Sequence, residues 1–397
     1  MRIDLDANAT TPVLPEVLDA MRPFFCERHG NPSSAHQSGR QARGALEMAR
    51  IAVASLLRCE AKEIVFTSGG TESDNLALCG VLQPFLDRHE PAHLITTDIE
   101  HHAVLFAAQS LEKRGREATG LLEVTYLRPN ADGVIDPADF EAALRPHTRL
   151  VSVMLANNET GAIQPVGKLA RIAKDYAEKN STSIFVHTDA VQGAGKMQLD
   201  LSGEFKNVDL LSVSGHKIYG PQGTGALFVR KGVELAPLFH GGPHERQRRA
   251  GTENVPGIVG LGRAAQLAQE WLAGDGPRHL AALHARFEAA LLSAIPGASV
   301  NAASAPRVSN TTNLRIDGIN AEPLLISLDL HGIAASFGSA CTSGAAEASH
   351  VLLGMGMTPA QANASLRFSL SRLTTGEEID RALEIIPAAV AQIRTVR

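Results

Sequence analysis

The sequence is poor in cysteine, and the cysteines it has are not spaced to work together. Cys26, Cys59, Cys79 and Cys341 are its four, with no Cys-x-x-Cys pair in 397 residues. That excludes a disulfide framework and a cysteine-based zinc site; it fits a reducing compartment, and no metal is expected. No window reaches the roughly 18 to 20 uninterrupted apolar residues of a membrane span. The opening Met1-Arg-Ile-Asp-Leu-Asp6 passes straight into turn-forming sequence, with no charged-then-apolar leader. A cytoplasmic location with no membrane partner is therefore expected. Basic charge is not in excess either. The formal net charge of -5 argues against nucleic acid or an anionic membrane as the main partner. Arg246, Arg248 and Arg249 form only a local patch, and neither internal repeats nor low-complexity stretches occur.

What is present is an ordinary globular composition, 44% hydrophobic and 20% charged, in a chain long enough for two or three domains. A short helix is expected around Glu16–Phe24 and an amphipathic one over Arg40–Leu57. Strand-like runs then appear at Ile64–Thr67, His93–Thr97, Leu150–Met154, Ile184–His187, Val208–Val213 and Ala226–Val229. Helical patterns lie between them at about 73–89, 102–114, 137–145 and 165–179. Such alternation predicts an α/β fold with a mostly parallel sheet covered on both faces, whose ligands gather at the carboxyl ends of the strands. After Pro256 the pattern changes. Helices at 257–273 and 278–294 precede strand-like runs at Thr311–Ile316, Gly332–Ser336 and Leu366–Leu370, with helices at 321–330 and from about 376. A large domain over 15–256 and a smaller α+β domain made of 1–14 and 257–397 are expected.

The richest stretch is Val208–Gly225, where an apolar strand runs into Ser214-Gly-His-Lys217 and then into a loop with Gly220, Pro221, Gly223 and Gly225. Partial desolvation at a strand end favours the neutral amine of Lys217, which can form a Schiff base with a carbonyl. Ser214 and His216 suit a phosphate, and the glycines admit a flat ring. Together they suggest pyridoxal 5'-phosphate (PLP), although the stretch alone also reads as a surface lysine in a Gly/Pro loop. Gly69-Gly70-Thr71 opens a helix after a strand, as phosphate sites do, and Thr71 with Asp74 also reads as a plain cap. Asp189 ends a core strand, placed either to pair a protonated ring nitrogen or to cap the next turn. His101 suits stacking on a ring or moving protons, a core role being the alternative. Asn157 offers an amide at the same sheet edge. Arg367 suits a carboxylate, or is a solvated edge-strand arginine. Cys341 lies in a loop of small residues over about 336–346, either as a nucleophile or as a packed small hydrophobe.

Taken together, these residues resemble the cysteine desulfurases of the NifS/IscS type, within the class V aminotransferases of aspartate-aminotransferase fold. The likeness runs from Leu5-Asp-Ala-Asn-Ala-Thr-Thr-Pro12 to Ser365-Leu-Arg-Phe-Ser-Leu-Ser-Arg372. Between them come Thr67-Ser-Gly-Gly-Thr-Glu-Ser73, Glu100-His-His-Ala103, Asn157-Asn-Glu-Thr-Gly161 and His187-Thr-Asp-Ala-Val-Gln192. Ser214-Gly-His-Lys217, Arg249-Ala-Gly-Thr-Glu-Asn254 and Gly338-Ser-Ala-Cys-Thr-Ser343 complete the set. The resemblance implies that Lys217 carries PLP, that Asp189 pairs its ring nitrogen and that His101 stacks on the ring. It implies that Asn157 and Gln192 bind the ring side, and that Gly70, Thr71, Ser214 and His216 hold the phosphate. Thr252 would join them from the other subunit of a homodimer. Arg367 matches the arginine that binds the substrate carboxylate, and Cys341 the cysteine that forms a persulfide.

The implied reaction converts L-cysteine to L-alanine and passes the sulfur to an acceptor protein such as an iron–sulfur scaffold. No tail like the one some relatives use for docking a scaffold is seen before Arg397. Selenocysteine lyase activity is the nearest rival within the same fold. An ordinary aminotransferase leaves Cys341 without a task, and a non-enzymatic sulfur-carrier or scaffold protein leaves Lys217 and Asp189 without one.

Overall fold

The computed structural model describes residues 2–118, 120–338 and 348–395. Strand β1 (Ile3–Asp4) leads through α1 (Pro15–Met21) to the long α2 (Gln37–Leu57). Strands and helices then alternate as β2 (Ile64–Thr67), α3 (Gly70–Asp87), β3 (Ala92–Thr97), α4 (His102–Ala118), β4 (Leu122–Leu127), α5 (Pro137–Ala143), β5 (Thr148–Ser152), α6 (Val166–Lys179), β6 (Phe185–Asp189), β7 (Leu210–Ser214) and β8 (Gly225–Val229). These eight-residue-or-shorter strands, β1 apart, form one seven-stranded sheet in the order β2-β8-β7-β6-β5-β3-β4. The five strands from β7 to β4 in that order are parallel, and β8 runs against both of its neighbours. Every strand of the sheet except β8 therefore ends at the same edge. The site is built on that edge.

Side chains alternate between two cores, as the pleat requires. Ile64 and Phe66 of β2 join Leu46 and Val53 of α2, whereas Val65 joins Leu76 and Val81 of α3 on the other face. Leu211 and Val213 of β7 likewise oppose Leu210. Burial on both faces is why these strands read as continuous apolar runs. Strand β4 has no such run and was not expected from the sequence. It lies at the sheet's open edge with only Leu122 and Leu127 buried, so Glu123, Thr125 and Tyr126 are tolerated between them.

The rest of the chain forms α7 (Val255–Ala273), α8 (Gly276–Ala294), β9 (Ala298–Val300), β10 (Thr311–Ile316), α9 (Ala321–Leu330), β11 (Ile333–Ala334), α10 (His350–Gly354), α11 (Pro359–Ala362), β12 (Ser365–Ser369) and α12 (Gly376–Thr395). An antiparallel sheet β12-β10-β9 and the parallel pair β1-β11 share a separate core. Phe287 of α8 meets Phe368 of β12 edge-on at 5.7 Å within it. Ile3 and Leu5 pack there too, so the first residues of the chain belong with its last third. Helix α7 does not: Ile258, Leu261, Ala264, Ala265 and Ala268 pack in the first core with α2. We therefore propose a division after α7 in place of the expected one at 257. Among the described residues no helix is long and apolar enough to cross a membrane.

Candidate active site

The ends of β6 and β7 and the loops after β2, β3 and β5 meet below β12. Asp189 is the last residue of β6 and Ser214 the last of β7; the single 3-10 turn Gly215–Lys217 then folds Lys217 back over the edge. Gly70 and Thr71 form the first turn of α3, and His101 directly precedes α4. Arg367 comes from the middle of β12, in the other core. These residues, with Gln192 and His216, line one cavity of ≈ 250 Å³. Residues dispersed over nearly 300 positions of sequence thus share one small volume.

An N-terminal strap roofs the cavity. Lys217 Nζ donates to the carbonyls of Asn8 at 2.5 Å and Ala9 at 2.7 Å. The ring of His216 meets Thr10 Oγ1 at 3.1 Å, and Thr11 Oγ1 donates to the His216 carbonyl at 2.9 Å. Further along, Asp6 Oδ1 accepts from Arg367 Nη2 at 2.7 Å while Arg367 Nη1 donates to the Asn158 carbonyl at 3.0 Å. Arg367 is only 2% exposed and its Nε has no partner among the described residues. The solvated arginine of the alternative reading is therefore excluded; this one lies on an edge strand but is buried and aimed by two fixed contacts.

The start of α3 is shaped for an anion. Thr71 and Asp74 do not cap it: the N-cap is Gly69, at φ 153, which has no side chain to offer, and Asp74 is buried instead. The first N–H groups and the positive end of the helix dipole are left for a ligand. A Cβ on Gly225 would lie 2.6 Å from Gly69 Cα, so the loop sits directly on β8 and only glycine fits there.

Burial sets the charges. The Asp189 carboxyl is pushed up to about 6 by desolvation, opposed by the Val191 N–H it accepts at 2.9 Å and by Lys217. It therefore caps the next turn and lines the cavity at once. Glu100, fully buried, is pushed up to about 8, mainly by desolvation; its Oε1 accepts from Thr97 and Met154, and its Oε2 has no partner among the described residues. Asp74, which also lines the cavity, is raised by burial and by the neighbouring Asp189. Desolvation, with Lys217 adding to it, lowers both His101 and His216 to about 4, so both rings are neutral at pH 7.

One expected residue falls elsewhere, one was expected to reach the other subunit's site, and one lies outside the described residues. Asn157 does not line the cavity. Its Oδ1 accepts from the N–H groups of Glu159 and Thr160, and its Nδ2 donates to the Ile99 carbonyl, so it builds the turn that presents Ala156 and Asn158. Thr252 is exposed and absent from the lining. Cys341 lies outside the described residues. Its described flanks are fixed beside the site: Ser336 pairs with Arg367 through both backbone bonds, and Ser349 Oγ donates to Glu159 Oε2 at 2.5 Å. Sequence reasoning missed Asp6, Asn8, Asp74 and Lys196 as site residues. For Asp6 and Asn8 the sequence signal was the turn-like run from Leu5 to Pro12, which says nothing about which core it crosses.

The class is defined by a family profile. Aminotransferase class-V matches residues 3–382, and the chain belongs to that family. Within it the chain is 48% identical to "Cysteine desulfurase 2" of Trichormus variabilis over 396 residues, 99% of this chain and 94% of the relative. A solved structure titled "NIFS-LIKE PROTEIN" superposes with a TM-score of 0.88 at 37% identity, covering 99% of this chain and 100% of that one. Another, titled "SspA in complex with cysteine", superposes at 0.80 with 35% identity, over 94% of this chain and 100% of its own.

Proposed function

We propose that the chain is a PLP-dependent cysteine desulfurase that converts L-cysteine to L-alanine and retains the sulfur as a persulfide on Cys341. The observation that carries this reading is the convergence of Lys217, Asp189 and Arg367 in one cavity. The relatives named for cysteine desulfurase activity, and the related structure that holds cysteine, support the substrate.

The lining fits PLP. A buried carboxyl raised by desolvation gains most from a cationic ring nitrogen, which Asp189 would meet at the cavity floor. Gly70, Thr71, Ser214 and His216 would hold the phosphate at the uncapped start of α3, joined by Thr252 from the other subunit of a homodimer. His101, neutral and half-buried, would stack on the ring. When bound, PLP supplies an electron sink for the substrate's α-carbon.

Lys217 Nζ would hold the cofactor and then take the α-proton of the substrate, with the Asn8 and Ala9 carbonyls receiving its N–H groups. Arg367 would bind the substrate carboxylate through its Nε–H, which has no partner among the described residues, and a remaining Nη hydrogen, while Asp6 and the Asn158 carbonyl keep the guanidinium plane fixed. The Cys341 thiolate would attack the substrate sulfur. A sulfur–sulfur bond forms, the carbon–sulfur bond breaks, and its electron pair with a proton leaves alanine. An acceptor protein for iron–sulfur or other sulfur-cofactor assembly would then take the terminal sulfur.

Mass spectrometry of the protein after incubation with PLP and L-cysteine tests this reading. One added sulfur atom on the peptide carrying Cys341, absent from Cys341→Ser, is expected. Alanine and sulfide formed by Cys341→Ser at the parental rate would refute it.

A further inference from the structure

A second lysine stands beside Lys217. Lys196 Nζ donates to Asn8 Oδ1 at 2.7 Å and to Gln192 Oε1 at 2.5 Å. Burial, with Lys217 and Arg367 adding to it, lowers its pKa well below the usual lysine value. A neutral amine still has two N–H groups, and both acceptors remain served. Among the described residues no acidic side chain is bonded to it, so an ion-pair role is not what holds it there.

The two amides it touches are thereby given a direction. Asn8 Nδ2 donates to the Asn158 carbonyl at 3.1 Å and to Thr311 Oγ1 at 2.9 Å, while its Oδ1 takes Lys196. Gln192 Nε2 donates to the Asn8 carbonyl at 3.0 Å while its Oε1 takes Lys196. Turning the Gln192 amide over would set its NH₂ against the Lys196 amine and its oxygen against the Asn8 carbonyl. The oxygen–carbonyl contact would be repulsive and one Lys196 N–H would lose its acceptor, so one orientation is selected.

We propose that Lys196 is a positioning residue that locks the Gln192 amide with its NH₂ toward the cavity, as a hydrogen-bond donor to an oxygen of the cofactor. Gln192 lines the cavity; Lys196 is not among the lining residues and acts through it. The inference rests on the PLP reading given above. A donor to the ring's phenolic oxygen stabilises the anionic form of that oxygen. Losing its orientation should therefore weaken binding and raise the pH midpoint of the bound cofactor's visible absorbance band.

The experiment adds PLP to the cofactor-free parental protein, Lys196→Met, Gln192→Ala and the double variant. Dissociation constants and pH midpoints of the visible band are measured, and thermal unfolding of each variant checks its fold. Lys196→Met should bind PLP about five- to tenfold more weakly, the worth of one ordinary hydrogen bond, with a raised midpoint. Gln192→Ala should then add little to Lys196→Met, because the two act as a unit. Lys196→Arg, which keeps two donors, should restore the parental midpoint, and it replaces Lys196→Met as the informative variant if methionine prevents folding. Parental affinity and midpoint in Lys196→Met would overturn the inference. So would full additivity with Gln192→Ala, since a merely structural lysine would leave the glutamine's contribution intact. A parental protein that binds no PLP and shows no visible band would instead sink the cofactor reading, and this inference with it.

Discussion

Arg367 of β12 is held by Asp6 of the N-terminal strap at 2.7 Å, a contact between residues 361 positions apart. The pair fixes a guanidinium that, among the described residues, is otherwise bonded only to the Asn158 carbonyl, at the rim of a cavity whose floor belongs to the other core. Arginine can serve these two acceptors and a carboxylate at the same time because its donors form a rigid fork. Lysine has one nitrogen and cannot.

Arg367→Lys should therefore lower kcat/KM for L-cysteine by about 10- to 100-fold, the range expected for one charge-assisted bidentate pair. PLP binding should stay near the parental level. Alanine formation at varied cysteine concentration, with absorbance to count bound cofactor, measures both. Unchanged kcat/KM would remove Arg367 from the substrate site.

Lys217 is half-buried and turned over the sheet edge, with two backbone carbonyls receiving its amine. Borohydride treatment of the PLP-loaded protein should fix the cofactor on the peptide containing Lys217. Lys217→Ala should lose turnover by about three orders of magnitude or more, as expected when a covalent catalyst is removed. A labelled peptide from elsewhere in the chain would refute the assignment.

Glu100 gives a prediction about pH. Its folded-state pKa is raised to about 8 by burial, so the fold favours the protonated carboxyl. A raised pKa contributes stability that is present below the unfolded value and is lost as pH rises through the folded value. The parental protein should thus lose stability between about pH 5 and 8 through this group. Glu100→Gln cannot ionise, and its stability relative to the parent should rise by on the order of 2 kcal/mol between pH 6 and 9. Urea unfolding of both proteins across that range provides the check. A difference that does not change with pH would mean that Glu100 does not titrate there.

A buried ion pair anchors the loop that carries Arg249 and Thr252. Arg50 Nη1 and Nη2 donate to the two oxygens of Glu245 at 2.8 Å each, and Glu245 also accepts from the Phe66 N–H at 2.9 Å. Glu245, Arg246 and Gln247 stand at φ 43, 57 and 66, left-handed backbone that non-glycine residues adopt only under constraint. Removing Arg50 leaves a buried carboxylate without its partner. Arg50→Met should cost about 3 to 5 kcal/mol, and adding Glu245→Leu should recover part of it. Denaturant unfolding of the single and double variants measures this. Equal stability of Arg50→Met and the parent would mean that the loop is held by other contacts.

The order of elements was legible in the sequence because each rests on neighbours along the chain. Val208–Val213 reads as an apolar run interrupted only by Asp209 and Ser212 because the strand there, Leu210–Ser214, is covered on both faces, and α9 and β10 were read at their observed bounds from periodicity alone. Lys217, Asp189, Gly70 and Arg367 were legible for a similar reason: each is a chemically distinctive residue at the end, or in the middle, of a predictable element. Edge strand β4 escaped because half-exposure leaves no apolar run.

What only the tertiary structure decided is which side chains meet. Asn157 and Asn158 are adjacent amides, and sequence gave no ground for sending one into a turn and presenting the other to the cavity. Asn8 looked like a loop residue; it becomes a hub because the strap crosses between two cores and places it over Lys217 and beside Lys196 and Thr311. The burial that raises Asp189 and Glu100 and lowers His101 is likewise a property of the assembled volume. Residue type supplies the chemistry a group is capable of. Desolvation and contacts between residues hundreds of positions apart exist only once the chain has closed on itself, and they select which of those capabilities is used.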